Sequence, residues 1–158
     1  MDKIISQWQT ERPDLDVTAM AQVGRLSVVS HLFSRQMGKV FAHHGLNAAG
    51  FDVLATLRRS SSPHALTAGE LMASMMITSG TMTNRIDQLV KAGLVMRKSD
   101  SADARRILVR LTPKGKRLID KVVAEHVENQ AGLLEALDES ERELLDSLLR
   151  KLLASVVP

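Results

Sequence analysis

Cysteine is missing from this chain of 158 residues, and aromatic residues make up only 3% of it, with no tyrosine and one tryptophan. Without cysteine there can be no disulfide, no thiol catalysis and no thiolate metal site. The few aromatic rings argue against sugar-binding platforms and against single-stranded nucleic acid, whose bases stack on such rings. Polar and charged groups must therefore carry most of the recognition chemistry.

Long apolar runs are missing as well. No stretch approaches the ~18 consecutive apolar residues of a membrane span, and the charged N-terminus with Pro13 lacks the apolar core of a signal peptide. We therefore expect a cytoplasmic protein without a membrane partner. Its length favours a single domain over residues 1–158 with one hydrophobic core.

Enzyme motifs are not found either. The chain has no phosphate-binding glycine loop, no nucleophile elbow and no HExxH string. Of its five histidines only His43 and His44 are adjacent, and no cysteine or carboxylate cluster accompanies them. The sequence predicts neither an enzyme nor a protein with a metal or cofactor, so a binding protein remains.

Charge is unevenly distributed along the chain. Residues 78–117 hold 10 basic and 3 acidic side chains, whereas residues 118–158 hold 4 basic and 9 acidic ones. A protein that presents one face to a polyanion needs such a separation. Double-stranded DNA is the leading polyanion.

Helical periodicity dominates the pattern of apolar residues. Three- and four-residue steps predict a long helix from about Val17 to Ala42, ended by Gly45, and a second helix around residues 51–57. Thr67 and Glu70 have the spacing of a capping box that begins a short third helix.

A fourth helix follows after only a few residues. Thr78 or Ser79 is expected to cap it, and Gly93 to end it in the left-handed conformation. Two short helices joined this tightly, the second with a polar outer face, indicate a helix-turn-helix.

Two strands are predicted next, at residues 94–98 and 106–111, joined by a polar link that forms a wing. Thr112 and Pro113 then begin another helix, and Asp138 with Glu141 begins the last one. We expect a mainly α fold with a small two- or three-stranded β wing. The winged helix-turn-helix lobe spans residues 47–112.

The last helix carries a stripe of leucines, Leu144, Leu145, Leu148, Leu149, Leu152 and Leu153. Burying a leucine contributes roughly 1.5–3 kcal/mol, so an open face of six is unfavourable. We expect a homodimer that pairs residues 1–46 with residues 113–158 across a two-fold axis. Two recognition helices would then lie ~34–36 Å apart on a pseudo-palindromic operator.

The order of elements and two strings resemble the MarR (multiple antibiotic resistance regulator) family. The string TSGTMTNRIDQL at residues 78–89, followed by KAGLV at 91–95, is similar to its recognition helix. The string DARR at 103–106, followed by LTPKG at 111–115, is similar to its wing. The resemblance covers residues 17–153 and implies a ligand-responsive transcriptional repressor.

The N-terminal stretch from Trp8 to Asp16 resembles the urate-responsive branch of that family, which has an added N-terminal helix. This resemblance implies a small aromatic anion such as urate as ligand, bound by Trp8, Asp52, Arg85 and Arg97. Glu70 stands where the resemblance implies an aspartate.

The DNA-binding residues are predicted from the polar face of the fourth helix and from the wing, where short donors, acceptors and cations meet base edges and phosphates. They are Ser79, Thr81, Thr83, Asn84, Gln88, Lys91, Arg105 and Arg106. Asp103 is expected to hold the Arg105 guanidinium for minor-groove entry, or to form a local ion pair with it.

Several alternatives stay open. The polar face can be merely solvated, Asp52 can form a local cap or salt bridge, and Trp8 can simply fasten the N-terminal arm. A phenol or another aromatic carboxylate competes with urate as the ligand. A dimeric interaction protein that does not bind DNA is the rival function, although it would not need a basic wing.

Overall fold

The structure is a computed structural model that describes residues 1–60, 64–75, 79–100, 103 and 105–156, without the side chains of residues 79–81. In these ranges the chain forms α-helices and one small antiparallel sheet. The elements are α1 (Asp2–Glu11), α2 (Thr18–His43), α3 (Ala48–Arg59), β1 (Ala65–Thr67), α4 (Ala68–Met75), α5 (Ser79–Lys91), β2 (Val95–Ser99), β3 (Ile107–Leu111), α6 (Pro113–Leu133) and α7 (Glu139–Val156).

Helix α3 lies at the centre of the core. Its residues Val53, Leu54 and Leu57 are fully removed from solvent, and the helix packs against α4, α5 and α6. Asn47 accepts a hydrogen bond from the Gly50 N–H at 2.8 Å and so caps the start of α3. Gly45, at φ 69°, ends α2 as predicted.

The helix-turn-helix is confirmed in its described part. Thr67 and Glu70 form the predicted capping box of α4: the Thr67 N–H donates to Glu70 Oε2 at 2.7 Å, and the Glu70 N–H donates to Thr67 Oγ1 at 3.2 Å. Helix α5 begins at Ser79, and Gly93 adopts the predicted left-handed conformation after it. The predicted cap at Thr78 or Ser79 lies outside the described side chains.

The sheet has three strands in the order β1-β3-β2, all antiparallel. Strands β2 and β3 are the predicted hairpin, shifted by one residue at some ends, with Val95 opposite Leu111 and Ser99 opposite Ile107. Strand β1, which pairs Ala65 with Arg110, has no alternating pattern because it is only three residues long. It exists because the edge of β3 offers it hydrogen-bonding partners.

Helices α6 and α7 begin where the caps predict. The Thr112 side chain accepts a hydrogen bond from the Gly115 N–H with Pro113 in the first turn, and Asp138 accepts one from the Glu141 N–H at 2.9 Å. Helix α6 ends at Leu133, and a turn separates it from α7. No described helix has a long enough apolar run to cross a membrane.

Helices α1 and α7 contain no buried residue. In α7, Leu148 and Leu152 are 50% and 53% exposed, and the first two-thirds of α2 also exposes apolar side chains such as Val23 and Leu26. The predicted leucine stripe is therefore uncovered within one chain.

A close contact joins the start of α6 to the turn after α5. The Thr112 N–H donates to the Leu94 carbonyl at 3.0 Å, the Thr112 hydroxyl donates to the Gly93 carbonyl at 2.7 Å, and Lys114 Nζ donates to the Ala92 carbonyl at 2.9 Å. A Cβ at Gly115 would lie 1.9 Å from the Leu94 carbonyl oxygen. The glycine of the LTPKG string is thus required by this approach of two backbones.

Gly115→Ala should therefore destabilise the fold by about 3 kcal/mol or more, because neither backbone can move away without breaking these hydrogen bonds. Gly69→Ala is the matched control in the first turn of α4, where a Cβ would meet only Thr67 Oγ1 at 3.9 Å. It should be neutral or stabilising by up to about 1 kcal/mol. Urea unfolding measures both; equal stability of the two variants would contradict the steric argument.

Candidate functional site

Helix α5 presents one apolar and one polar face. Met82, Ile86 and Leu89 are buried at 1–5% exposure and fix the rotation of the helix. The opposite face leaves four predicted side chains exposed, namely Thr83, Asn84, Gln88 and Lys91. Ser79 and Thr81 belong to the first turn of α5, and their side chains lie outside the described part of the structure.

Arg105 is exposed near the end of the wing. The expected interaction of Asp103 with the Arg105 guanidinium is not found; instead, Asp103 Oδ1 accepts a hydrogen bond from the Arg105 backbone N–H at 3.0 Å. An aspartate side chain is short and reaches the backbone two residues on, which forms an Asx turn. The carboxylate therefore shapes the backbone of the wing and leaves the guanidinium to other partners.

Arg106 is engaged within the protein. Its guanidinium lies 2.9 Å from Glu70 Oε1 on α4 and 3.7 Å from Asp100 Oδ2 after β2. Hydrogen bonds from Thr67, and more weakly the charge of Arg106, hold the pKa of Glu70 below its usual value. Glu70 is thus ionised and links the first helix of the helix-turn-helix to the wing.

Apart from Arg105 and Arg106, the basic residues at positions 98–117 fall into two groups. Lys114 donates to the Ala92 carbonyl, and Lys116 pairs with Asp120 Oδ2 at 2.9 Å. The second group forms no ion pair with another described residue; it consists of Lys98, Arg110 and Arg117.

Asp52 lines a cavity of about 350 Å³ on the outer face of α3. The other lining residues are Phe51, Ala55, Thr56, Arg59, Ser74 and Met75. Although Asp52 keeps contact with solvent, the surrounding protein removes enough water to raise its pKa. The nearby charges of Arg85, Arg59 and His126 act in the opposite direction.

The four residues of the predicted ligand set are only partly brought together. Asp52 and Arg85 are electrostatic neighbours. Arg97 instead pairs with Asp87 Oδ1 at 2.7 Å, which ties β2 to α5. Trp8 is 41% exposed on α1, which packs on α2, and no hydrogen bond or ring contact among the described residues joins it to the other three.

Two residues near Asp52 were not predicted. Arg59 donates to Thr56 Oγ1 at 3.2 Å and to the Ser74 carbonyl at 3.3 Å. Helical spacing places Asp52, Thr56 and Arg59 on one face of α3, so the sequence contained this signal. The ring of His126 lies tilted against both Phe41 and Phe51, which stack directly on each other, and only the packing of α6 against α2 and α3 reveals this contact.

Burial lowers the pKa of His126, while the charge of Asp52 opposes this shift. Its Nδ1 is buried without a hydrogen-bond partner in the described structure. Elsewhere His44 Nε2 lies 2.6 Å from Glu125 Oε2. No group of three or more His, Asp or Glu side chains within the described ranges could hold a metal ion.

Comparison with known proteins gives consistent matches. The model of the MarR family matches residues 46–107. The HTH-type transcriptional regulator PecS of Dickeya dadantii is 43% identical over 146 residues, covering 92% of this chain and 88% of that protein.

Two solved structures share the fold and are 27% and 26% identical in sequence. A mutant MarR from E. coli, complexed with operator DNA, has a TM-score of 0.73 and 27% identity and covers 87% of this chain and 97% of its own. BpsR of Bordetella bronchiseptica, whose DNA binding is regulated by 6-hydroxynicotinic acid, has a TM-score of 0.71 and 26% identity, covering 85% and 93%.

Proposed function

Because this chain belongs to the MarR family of DNA-binding transcriptional regulators, we propose that it is a homodimeric repressor, released from a pseudo-palindromic operator by a small aromatic anion. The observation that carries the proposal is the exposed polar face of α5 beside a basic wing. The relatives reported above are transcription regulators, which favours this function over an interaction protein that does not bind DNA.

In the proposed complex α5 enters the major groove. Thr83, Asn84, Gln88 and Lys91, with Ser79 and Thr81 at the start of the helix, contact base edges and phosphates. Arg105 reaches the minor groove from the wing, since its guanidinium is exposed and the Asp103 turn holds its backbone. Residues 47–112 form this lobe.

Selection from a random duplex library should recover a pseudo-palindromic site. With about six phosphates neutralised per dimer, log affinity should fall with log salt at a slope near −5. Arg105→Ala should weaken the complex by roughly 1–3 kcal/mol without loss of folding. Lys3→Ala, which removes the same charge from α1, is the control and should bind like the parent. Failure to enrich any sequence would refute the proposal.

The dimer is proposed from the uncovered apolar surface. Helix α7 has no buried residue, and its leucines lie on one side with the exposed apolar residues of α2 available as partners. Pairing residues 1–46 and 113–158 across a two-fold axis would bury both surfaces. Such an interface would also fix the distance between the two copies of α5.

Leu148→Asp combined with Leu152→Asp should abolish the dimer, because two charges per chain would enter the apolar interface. Ser147→Asp combined with Ala154→Asp places the same charges on the opposite side of α7 and should leave the dimer intact. Sedimentation at micromolar concentration distinguishes the variants. A stable, folded monomer of the parent protein would contradict the assignment.

The effector is proposed to bind in the Asp52 cavity. Asp52 accepts a hydrogen bond from a ring N–H of the ligand, and Arg85 pairs with its anionic edge. Because Arg85 belongs to α5, a ligand that recruits it changes the helix that reads DNA, which provides the required difference in affinity. Arg97 and Trp8 take part only if β2 and α1 lie over the cavity in the ligand complex.

Urate is the proposed ligand, on the resemblance of the Trp8 segment. An aromatic carboxylate is the second candidate, because 6-hydroxynicotinic acid regulates DNA binding by BpsR. Both are flat, anionic rings with polar edges, and both suit a cavity that combines Asp52 and Arg59 with the ring of Phe51.

Titration of the operator complex with urate, xanthine, salicylate and 6-hydroxynicotinic acid should release DNA with at least one of them. Asp52→Asn should reduce the response about tenfold or more while leaving the affinity of the ligand-free protein unchanged. Asp120→Asn is the control, because Asp120 lines only an adjoining cavity. Fluorescence of Trp8 reports whether α1 meets the ligand. No release by any of the four would remove the effector proposal while leaving DNA binding untouched.

A further inference from the structure

Glu70 uses its two carboxylate oxygens for different elements. Oε2 accepts hydrogen bonds from the Thr67 N–H at 2.7 Å and the Thr67 hydroxyl at 3.0 Å, which closes the capping box of α4. Oε1 accepts a hydrogen bond from the Arg106 guanidinium at 2.9 Å. One side chain therefore belongs both to the start of the helix-turn-helix and to the base of the wing.

Two backbone hydrogen bonds fix Arg106 within the wing. Its carbonyl accepts a hydrogen bond from the Asp100 N–H at 2.9 Å, and its N–H donates to the Asp103 carbonyl at the same distance. Asp103 in turn accepts from the Arg105 N–H at 3.0 Å. A displacement of Arg106 would thus carry the backbone of Arg105 with it.

We propose that Glu70 and Arg106 form a brace between α4 and the wing, which sets the direction of Arg105 for operator recognition, and that Arg106 itself is not a phosphate ligand. Both are positioning residues. The inference rests on the proposed contact between Arg105 and the operator.

If Arg106 were a phosphate ligand, removing the charge of Glu70 would change operator affinity in the direction opposite to that expected for a brace. If Arg106 bound phosphate, removing the charge of Glu70 would release it toward DNA and strengthen binding. In the brace, removing either charge lets the wing sample other directions, so that ordering it on DNA costs entropy. The sign of the effect at Glu70 therefore separates the two roles.

The experiment measures operator affinity and its salt dependence for Glu70→Gln, Arg106→Gln and the double variant. Glutamine preserves the capping box, so α4 stays capped. Each single variant should lose about 3- to 30-fold in affinity, as two exposed ion pairs per dimer allow. The double variant should bind the operator no more weakly than either single variant. Affinity for random duplex DNA should be nearly unchanged in all three variants. The salt slope of Glu70→Gln should equal that of the parent.

Arg105→Ala is measured beside them. If it binds like the parent, the proposed wing contact is wrong; if it alone weakens the complex, the brace is wrong. Tighter binding by Glu70→Gln, with a salt slope reduced by about two for Arg106→Gln, identifies Arg106 as a phosphate ligand. Thermal unfolding checks that each variant is folded. If Glu70→Gln is destabilised, the salt slope of Arg106→Gln, which leaves the capping box intact, distinguishes the brace from a phosphate ligand.

Discussion

The burial of one apolar stripe on α5 determines which surface this helix presents for the proposed contact with DNA. Met82, Ile86 and Leu89 lose nearly all contact with solvent, and each contributes roughly 1.5–3 kcal/mol by burial. Any rotation of α5 would expose them. The exposed positions of Thr83, Asn84, Gln88 and Lys91 are therefore set by side chains on the other face of the helix, and in the proposed complex sequence specificity would depend on core packing.

Helix α3 links this surface to the candidate effector cavity. Its inner face, with Val53, Leu54 and Leu57, packs into the core, while its outer face carries Asp52 and Arg59. The charge of Arg85, on α5, interacts electrostatically with Asp52 and lowers its pKa, against the larger effect of burial. In the proposed complex a ligand at Asp52 would lie within the electrostatic influence of Arg85, although Arg85 is not among the residues that line the cavity.

Local signals in the sequence predicted most of the fold. Capping boxes, the left-handed glycines and the apolar periodicity depend on residues a few positions apart, and Thr67, Gly93 and Thr112 occupy the expected places. Strand β1 was missed as a separate strand because it depends on an edge formed some forty residues later. Side-chain partners were harder still: Arg97 pairs with Asp87 and Arg106 with Glu70, because these partners follow from tertiary placement rather than from spacing. Asp103 instead accepts from the backbone N–H two residues on, a local alternative to the expected contact with the guanidinium.

Helix α7 buries no residue of its own. In the proposed dimer its order is supplied by association, so the folded state gains stability by mass action as the protein becomes more abundant. A cell that makes few copies would hold a larger fraction of loosened, protease-sensitive chains than one that makes many. The number of regulator molecules would then set not only how often an operator is occupied but also how long each molecule survives.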